Sequence, residues 1–267
     1  MGDKPGQVED GRIRAALAAR LRAAGSVYAE DEADILLSAA TTADERERMV
    51  RERAAGRPLE YVVGWAWFCQ LKIFVDPGVF VPRVRSEFLV QEARAHLSGH
   101  AVVVDLGCGT GALGAALWAA APDATVYAVD RDPAAVRCAR RNLSPHRVYE
   151  GDLYEALPPH LAGRVNLIVA NVPYVPSASL AHLPREARLY EAPMALDGGA
   201  DGLDVLRRVA DGAPAWLAAG GHLLVESSEA QAPHVAACFR RGGLLATVAR
   251  CEALEATVVV GSKPLGP

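Results

Sequence analysis

The sequence predicts an α/β protein: a doubly wound, mostly parallel seven-stranded sheet with an antiparallel last strand, preceded by a small helical domain and a β-hairpin connector. Three observations carry this reading. From about residue 85 onward, apolar β-prone runs alternate with Ala-rich helical stretches, the pattern of strand–helix–strand units. The first of these runs, VVVDLGCGTG from Val102 to Gly111, is a strand feeding a glycine-rich turn and then a helix. The last two runs, LLATVAR and LEATVVVGS, are joined by too few residues for a helical crossover, so the final strand must turn back on its neighbour.

Residues 1–60 are expected to form the helical domain, 61–84 the connector and 85–267 the sheet domain. In the first segment apolar residues recur at helical intervals, as in Ile13, Leu17 and Leu21, then Ile35 and Leu36. Gly25 is placed to stop the first helix, and Gly56 with Pro58 to stop the last. Arg46, Arg48, Arg51 and Arg53 alternate with glutamates and read as a solvated helix face. The connector holds short β-prone runs built on Trp67, Phe68, Leu71, Ile73, Phe74 and Val75, broken by the turn signature Asp76-Pro77-Gly78. After a helix near Ser86 to Leu97, the runs AVVVDLG, TVYAVD, HRVYEG, VNLIVAN and HLLVES follow, apolar enough for strands buried on both faces.

A net charge of -4, mixed along 267 residues, offers no field for neutralising phosphates, so direct nucleic-acid binding is not expected. Five cysteines, at 69, 108, 138, 238 and 251, are odd in number and lack any C-x-x-C pair, which argues against a disulfide framework and a metal site and for the reducing cytoplasm. Met1 to Asp10 contains no apolar core of a signal peptide, and no run of 18 apolar residues occurs, so no membrane association is expected. A monomer is expected.

Gly107, Gly109 and Gly111 lack the Cβ atoms that would bar a sharp turn and close approach of a ligand. A nicotinamide dinucleotide site uses a related turn, as does a tight turn with no ligand. Asp105 separates the possibilities, because a carboxylate ahead of the glycines suits a cationic amino group and repels a pyrophosphate. S-adenosylmethionine carries such a group. Asp130 closes the second strand, where an acid binds both ribose hydroxyls, and Asp152 follows the third, near an adenine amino group. Arg131 and Leu153, next in the chain, are expected in the same pocket. Cys108 reads as a small space-filler.

The strand VNLIVAN runs into Asn171-Val172-Pro173-Tyr174 at the carboxyl edge of the sheet, where ligands of open α/β sheets bind. The Asn171 side-chain oxygen and the Val172 carbonyl together can accept both hydrogens of an NH2 group, while Pro173 biases Val172 toward an extended backbone. Tyr174 can stack on a flat acceptor. The tetrapeptide taken alone reads equally well as a β-turn.

With these residues in view, the chain resembles the protein-(glutamine-N5) methyltransferases, which modify the glutamine of the Gly-Gly-Gln motif in peptide-chain release factors. RPLEYVVGWAWFCQLKIFVDPGVFVPR is similar to that family's domain linker, and YVPSASLAHLPREARLYEAPMALDGGADGLDVLRRV to the segment after its acceptor loop; the likeness runs from about Arg57 to the C-terminus. It implies a Rossmann-like methyltransferase sheet using S-adenosylmethionine, with a release factor as protein partner. By matching positions, Asn171 and Tyr174 would hold the glutamine amide as catalytic residues, with Val172 and Pro173 shaping the loop. Asp105, Gly107, Gly109, Gly111, Asp130 and Asp152 would line the cofactor pocket, and Phe80 and Arg83 would cover the site. On residue type alone, Phe80 is a core aromatic and Arg83 a surface ion-pair member.

Two departures stand out: Val172 replaces the family's usual first proline of Asn-Pro-Pro-Tyr, and VPRVRSEF replaces a more acidic stretch. Glu186, Arg188 and Glu191 read as a solvated loop facing a protein substrate. Other classes remain open: an amino-methyltransferase of a flipped nucleic-acid base, methylation of a different glutamine-bearing protein, an idle cofactor-binding module, or an oxidoreductase, which would leave the Asn-Val-Pro-Tyr loop unexplained.

Overall fold

In the computed structural model, which describes residues 5–266, the apolar runs become strands and the Ala-rich stretches become helices. The chain falls into two units divided between Trp65 and Ala66. The first is helical: α1 (Pro5–Ala23), α2 (Ala29–Ala39), α3 (Ala43–Ala54) and α4 (Leu59–Val63). Leu17, Leu21, Leu36, Met49, Val50 and Val62 interlock as its core. Gly25, at φ 99, turns the chain out of α1 so that the Ser26 N–H donates back to the Leu21 carbonyl at 3.0 Å. Gly56, at φ 91, does the same after α3. Thr42 caps α3 by accepting from the Glu45 N–H at 3.1 Å. Arg48 sits on the solvated face as expected, paired with Glu45 and Glu52. Arg53 does not: only 14% of its side chain is exposed, and it forks onto the carboxylate of Glu32.

The connector corrects one expectation. β1 (Trp65–Phe68) and β2 (Leu71–Phe74) form the hairpin, and its turn is Cys69–Gln70, at φ 48 and 63, not Asp76-Pro77-Gly78. With both central residues left-handed, this two-residue turn takes a conformation that Asn and Gly adopt readily and Cys and Gln rarely do, so residue type pointed elsewhere. Asp76–Gly78 makes a later turn, with the Val79 N–H donating to the Asp76 carbonyl at 3.1 Å.

The rest of the second unit runs α5 (Glu87–Arg94), β3 (Val102–Leu106), α6 (Ala112–Ala120), β4 (Thr125–Asp130), α7 (Pro133–Asn142), β5 (Val148–Glu150), β6 (Val165–Ala170), α8 (Arg185–Tyr190), α9 (Asp204–Trp216), β7 (Leu217–Ser227), α10 (Ala232–Arg241), β8 (Leu245–Cys251) and β9 (Ala256–Ser262). The seven-stranded sheet has the order β5-β4-β3-β6-β7-β9-β8, with β9 antiparallel to both neighbours. Both faces are covered. Along β6, Leu167 and Val169 pack on the side of α5 and α6, while Val165, Ile168 and Ala170 pack on the side of α9 and α10. Strand order reverses between β3 and β6, and the crevice of such a fold opens at that switch point. Among the described residues no helix is long and apolar enough to cross a membrane.

Candidate active site

Register brings the two loops together. Leu106 at the end of β3 pairs with Ala170 at the end of β6, so Gly107 and Asn171 emerge side by side. Gly107 and Gly109 hold φ 66 and 54, a region that costs a side-chain-bearing residue strain. A Cβ at Gly107 would lie 3.2 Å from the Val172 side chain, whereas the space beside Gly109 is open. The result is a concave cradle with bare backbone for its wall.

Acids fix this cradle. Asp130, ending β4, accepts the Gly109 N–H on one oxygen at 2.8 Å and the Asp132 N–H on the other at 2.9 Å. Each oxygen keeps a lone pair for a further donor. Burial raises the Asp130 carboxyl above its ordinary range, opposed by those two N–H donors. Asp105 lies beneath the loop, fully buried; Oδ2 accepts the Gly114 N–H of α6 at 2.9 Å, and Oδ1 has no partner. Burial pushes its pKa up to about 7, helped by the charge of Asp130 and opposed by the Gly114 N–H. Cys108 is buried among apolar side chains, and burial holds its thiol well above the ordinary value.

A cleft opens above the cradle. Gly107, Gly109, Asp130, Arg131, Asp152, Leu153 and Asn171 line it, and Phe80 covers it from the connector. Asp105 and Gly111 are not part of its lining. Asp152 is held by Arg208 of α9, Nη2 to Oδ2 at 2.9 Å. A second cleft is lined by Arg83, Arg85, Tyr174 and Glu186, and shares Phe80, Asn171, Val172 and Pro173 with the first. The two clefts therefore meet at the Asn171 loop.

Within that loop the Asn171 Nδ2 donates to Ser86 Oγ at 3.1 Å, which turns Oδ1 into the remaining acceptor. Val172 is buried, packed in the core cluster that also holds Leu106 and Ala170. The Tyr174 hydroxyl donates to Glu226 Oε1 at 3.1 Å and accepts from Arg85 Nη2 at 2.5 Å. Burial raises the Tyr174 phenol further from ionisation, and the neighbouring Glu226 adds to that. Arg83 lies 4.9 Å from the Phe80 ring centroid and pairs with Glu191 at 2.5 Å. Glu191 was expected in a solvated loop; instead it is buried and also accepts the Val81 N–H at 3.2 Å, tying the post-loop segment to the connector.

Several contributors escaped the sequence. Ser86, Arg208 and Gln231 sit in helical or turn segments with no local signature. Glu226 had one: it closes an apolar strand, as Asp105 and Asn171 nearly do, and the same edge argument finds it. Among the described residues no cluster of three or more His, Cys, Asp or Glu side chains could hold a metal ion. The arrangement offers a cradle with carboxylate acceptors at Asp130 and Asp152, next to a slot in which Asn171 Oδ1 is left as an acceptor.

The methyltransferase small domain family model matches residues 70–199. The chain is 41% identical over 199 residues to the release factor glutamine methyltransferase of Geobacter sulfurreducens, covering 73% of this chain and 69% of that protein. To the release factor glutamine methyltransferase of Xylella fastidiosa it is 39% identical over 241 residues, covering 86% and 85%. A 4-amino-L-phenylalanine/4-methylamino-L-phenylalanine methyltransferase of Streptomyces pristinaespiralis is 36% identical over 203 residues, covering 73% and 69%.

Proposed function

Because this chain belongs to the release factor glutamine methyltransferase family, we propose that it methylates the side-chain amide nitrogen of a glutamine, in the Gly-Gly-Gln motif of a peptide-chain release factor. The observation that carries this reading is the meeting of the two clefts at Asn171, with its Oδ1 turned free by the bond from Nδ2 to Ser86.

S-adenosylmethionine, the methyl donor of this enzyme class, supplies an electrophilic methyl group on a sulfonium. The residues present fit it. The cradle is bare at Gly109, Asp130 has lone pairs for a ribose diol, and Asp105 carries an unpartnered buried oxygen suited to a nearby cation. Arg131, Asp152 and Leu153 complete the wall around the nucleoside. Asn171 Oδ1 and the Val172 carbonyl accept the two amide hydrogens, which fixes the rotation of the acceptor nitrogen and turns its face toward the first cleft. Tyr174 and Phe80 flank the amide plane and exclude water. Positioning, rather than a strong base, is what these residues provide.

The helical unit is assigned to recognition of the release factor, and the protein acts as a cytoplasmic monomer without direct nucleic-acid contact. Support for these last points is the dispersed charge and five free thiols. The test incubates the enzyme with tritiated S-adenosylmethionine and a release factor. Label on the wild-type factor but not on a Gln-to-Ala variant is expected, and equal labelling of both would sink the glutamine assignment. A second reading, methylation of an aromatic amine on an amino acid, is favoured by the 36% identity to the 4-amino-L-phenylalanine/4-methylamino-L-phenylalanine methyltransferase. Transfer to 4-amino-L-phenylalanine in preference to the release factor would establish it instead.

Cofactor affinity should depend on pH through Asp105. The folded protein keeps this carboxyl protonated up to about pH 7, whereas an unfolded aspartate ionises near ~4. The folded state therefore holds an extra proton between those values, and stability falls as pH rises across the window. A cation in the cleft favours the ionised form, so binding of S-adenosylmethionine should strengthen between pH 6 and 8, by up to roughly tenfold per unit below the pKa. Calorimetric titrations at three pH values check this, with Asp105→Asn expected to flatten the dependence.

A weaker grip is expected when Asp130 is replaced by alanine. Two backbone donors lose their acceptor along with any ribose contact, and a charged hydrogen bond contributes about 1.5–3 kcal/mol, so Kd for S-adenosylmethionine should rise roughly 10- to 100-fold. Equilibrium dialysis measures it; an unchanged Kd would remove Asp130 from the pocket.

A further inference from the structure

Val172 gives the acceptor loop little backbone stiffness. Its N–H makes no hydrogen bond among the described residues, and no ring fixes its φ. Asn171 is tied to Ser86 and the Val172 side chain packs in the core, while the far end of the loop, Tyr174, is held by groups from outside it. The Tyr174 carbonyl accepts from Gln231 Nε2 at 2.9 Å, and the Gln231 amide oxygen in turn accepts from Ser228 Oγ at 2.8 Å. At the other end of the same residue, the hydroxyl is shared between Glu226 and Arg85.

Arg85 reaches this point from the turn ahead of α5, 89 positions earlier in the chain. Its Nε donates to Glu226 Oε1 at 3.0 Å, the same oxygen that accepts the Tyr174 hydroxyl, and its guanidinium carbon stands 5.8 Å from the ring centroid. Glu226 is almost fully buried, and its Oε2 has no partner. The three groups therefore depend on one another: a buried carboxylate is costly without its cation, and the phenol oxygen sits where both can reach it.

We propose that Arg85 is a positioning residue of the acceptor site: with Glu226 it pins the Tyr174 ring, supplying from outside the loop the rigidity that Val172 does not supply from within. Arg85 touches neither reacting atom in this role; it acts through Tyr174. A consequence follows that a simple surface ion pair does not have. Rigidity built into the loop itself should substitute for the pin, and Val172→Pro builds it in without sacrificing a hydrogen bond, by fixing φ and narrowing the loop's freedom.

The test is a double-mutant cycle of Arg85→Met and Val172→Pro, with two readouts. In the first, hydrogen exchange is followed at the Tyr174 and Val175 amides. Arg85→Met should speed exchange about tenfold, matching the loss of one charged hydrogen bond, and adding Val172→Pro should return it to near the wild-type rate. In the second, methyl transfer is measured. Arg85→Met should lower kcat about tenfold with cofactor Kd little changed, Val172→Pro alone should raise kcat about twofold, and the same substitution in the Arg85→Met background should raise it about fivefold or more. Equal effects of Val172→Pro in both backgrounds overturn the proposal, as does unaltered exchange in Arg85→Met. Arg85→Lys, which keeps the charge but not the fork, should resemble Arg85→Met in exchange. The kinetic readout rests on the proposed function; the exchange readout does not. A wild-type enzyme that labels no release factor would count against that function while leaving the exchange result to decide the role of Arg85.

Discussion

Asn171→Ala is expected to lower kcat for methyl transfer by about 100- to 1000-fold, the scale seen when one preorganised hydrogen-bonding group is removed from a reacting centre. The effect should fall on transfer far more than on cofactor binding. Gly107, Gly109, Asp130 and Asp152 still line the first cleft in the variant, whereas the second loses the Asn171 Oδ1 that the bond to Ser86 leaves free. An amide nitrogen free to rotate about its C–N axis samples many orientations, and productive alignment becomes rare. Single-turnover labelling with tritiated S-adenosylmethionine, alongside calorimetric binding of the cofactor, separates the two effects. A variant that transfers methyl at the wild-type rate would show that the acceptor is held elsewhere.

The sheet was legible because its strands are buried on both faces and so read as unbroken apolar runs, and because glycines and acids mark where each run ends. The antiparallel last strand was legible from a loop length. The hairpin turn was not, since the left-handed conformations of Cys69 and Gln70 go with the two-residue link between β1 and β2 rather than with a preference of the residues themselves. Arg53 was misread for a related reason: its partner Glu32 lies on another helix, 21 positions away, and helix periodicity says nothing about which charged face meets which.

In the site, the acids and amide read directly from the chain, Asp105, Asp130, Asp152 and Asn171, lie at or just beyond strand ends. What sequence could not supply is the division of labour among them. Asp105 and Gly111 line neither cleft, Arg83 and Tyr174 line the second, and Asn171, Val172, Pro173 and Phe80 belong to both. Long-range partners decide the rest. Ser86 orients Asn171 across 85 positions, Arg85 reaches Tyr174 across 89, and Glu191 joins Arg83 across 108. The replacement of acidic residues in VPRVRSEF, which in the sequence bears on the charge near the substrate entrance, acquires a partner in the fold: Arg85 pairs with the buried Glu226.

The DGGADG stretch carries the second large effect. In sequence it is a run of turns; in the structure Gly202, at φ 78, is packed under the acceptor loop, and a Cβ there would lie 2.3 Å from the Tyr174 carbonyl oxygen and 2.5 Å from Gln231 Nε2. Neither can yield cheaply, because they are hydrogen-bonded to each other. Gly202→Ala should therefore cost about 1–3 kcal/mol in left-handed strain and about 1–3 kcal/mol more in overpacking. For a chain of this size that corresponds to a fall in Tm of roughly 5–15 °C. Gly163→Ala is the matched control: its φ is 72, yet nothing lies within 4 Å of the added Cβ, so it should show the strain alone. At a temperature where both variants remain folded, Gly163→Ala should transfer methyl normally, while Gly202→Ala should lose about tenfold in kcat as Tyr174 is pushed off its clamp. If the two variants lose equal stability and both keep full activity, the Tyr174 carbonyl is not held in the way the Gln231 contact implies. A loss confined to Gly202→Ala would place the segment after the acceptor loop among the elements that shape it.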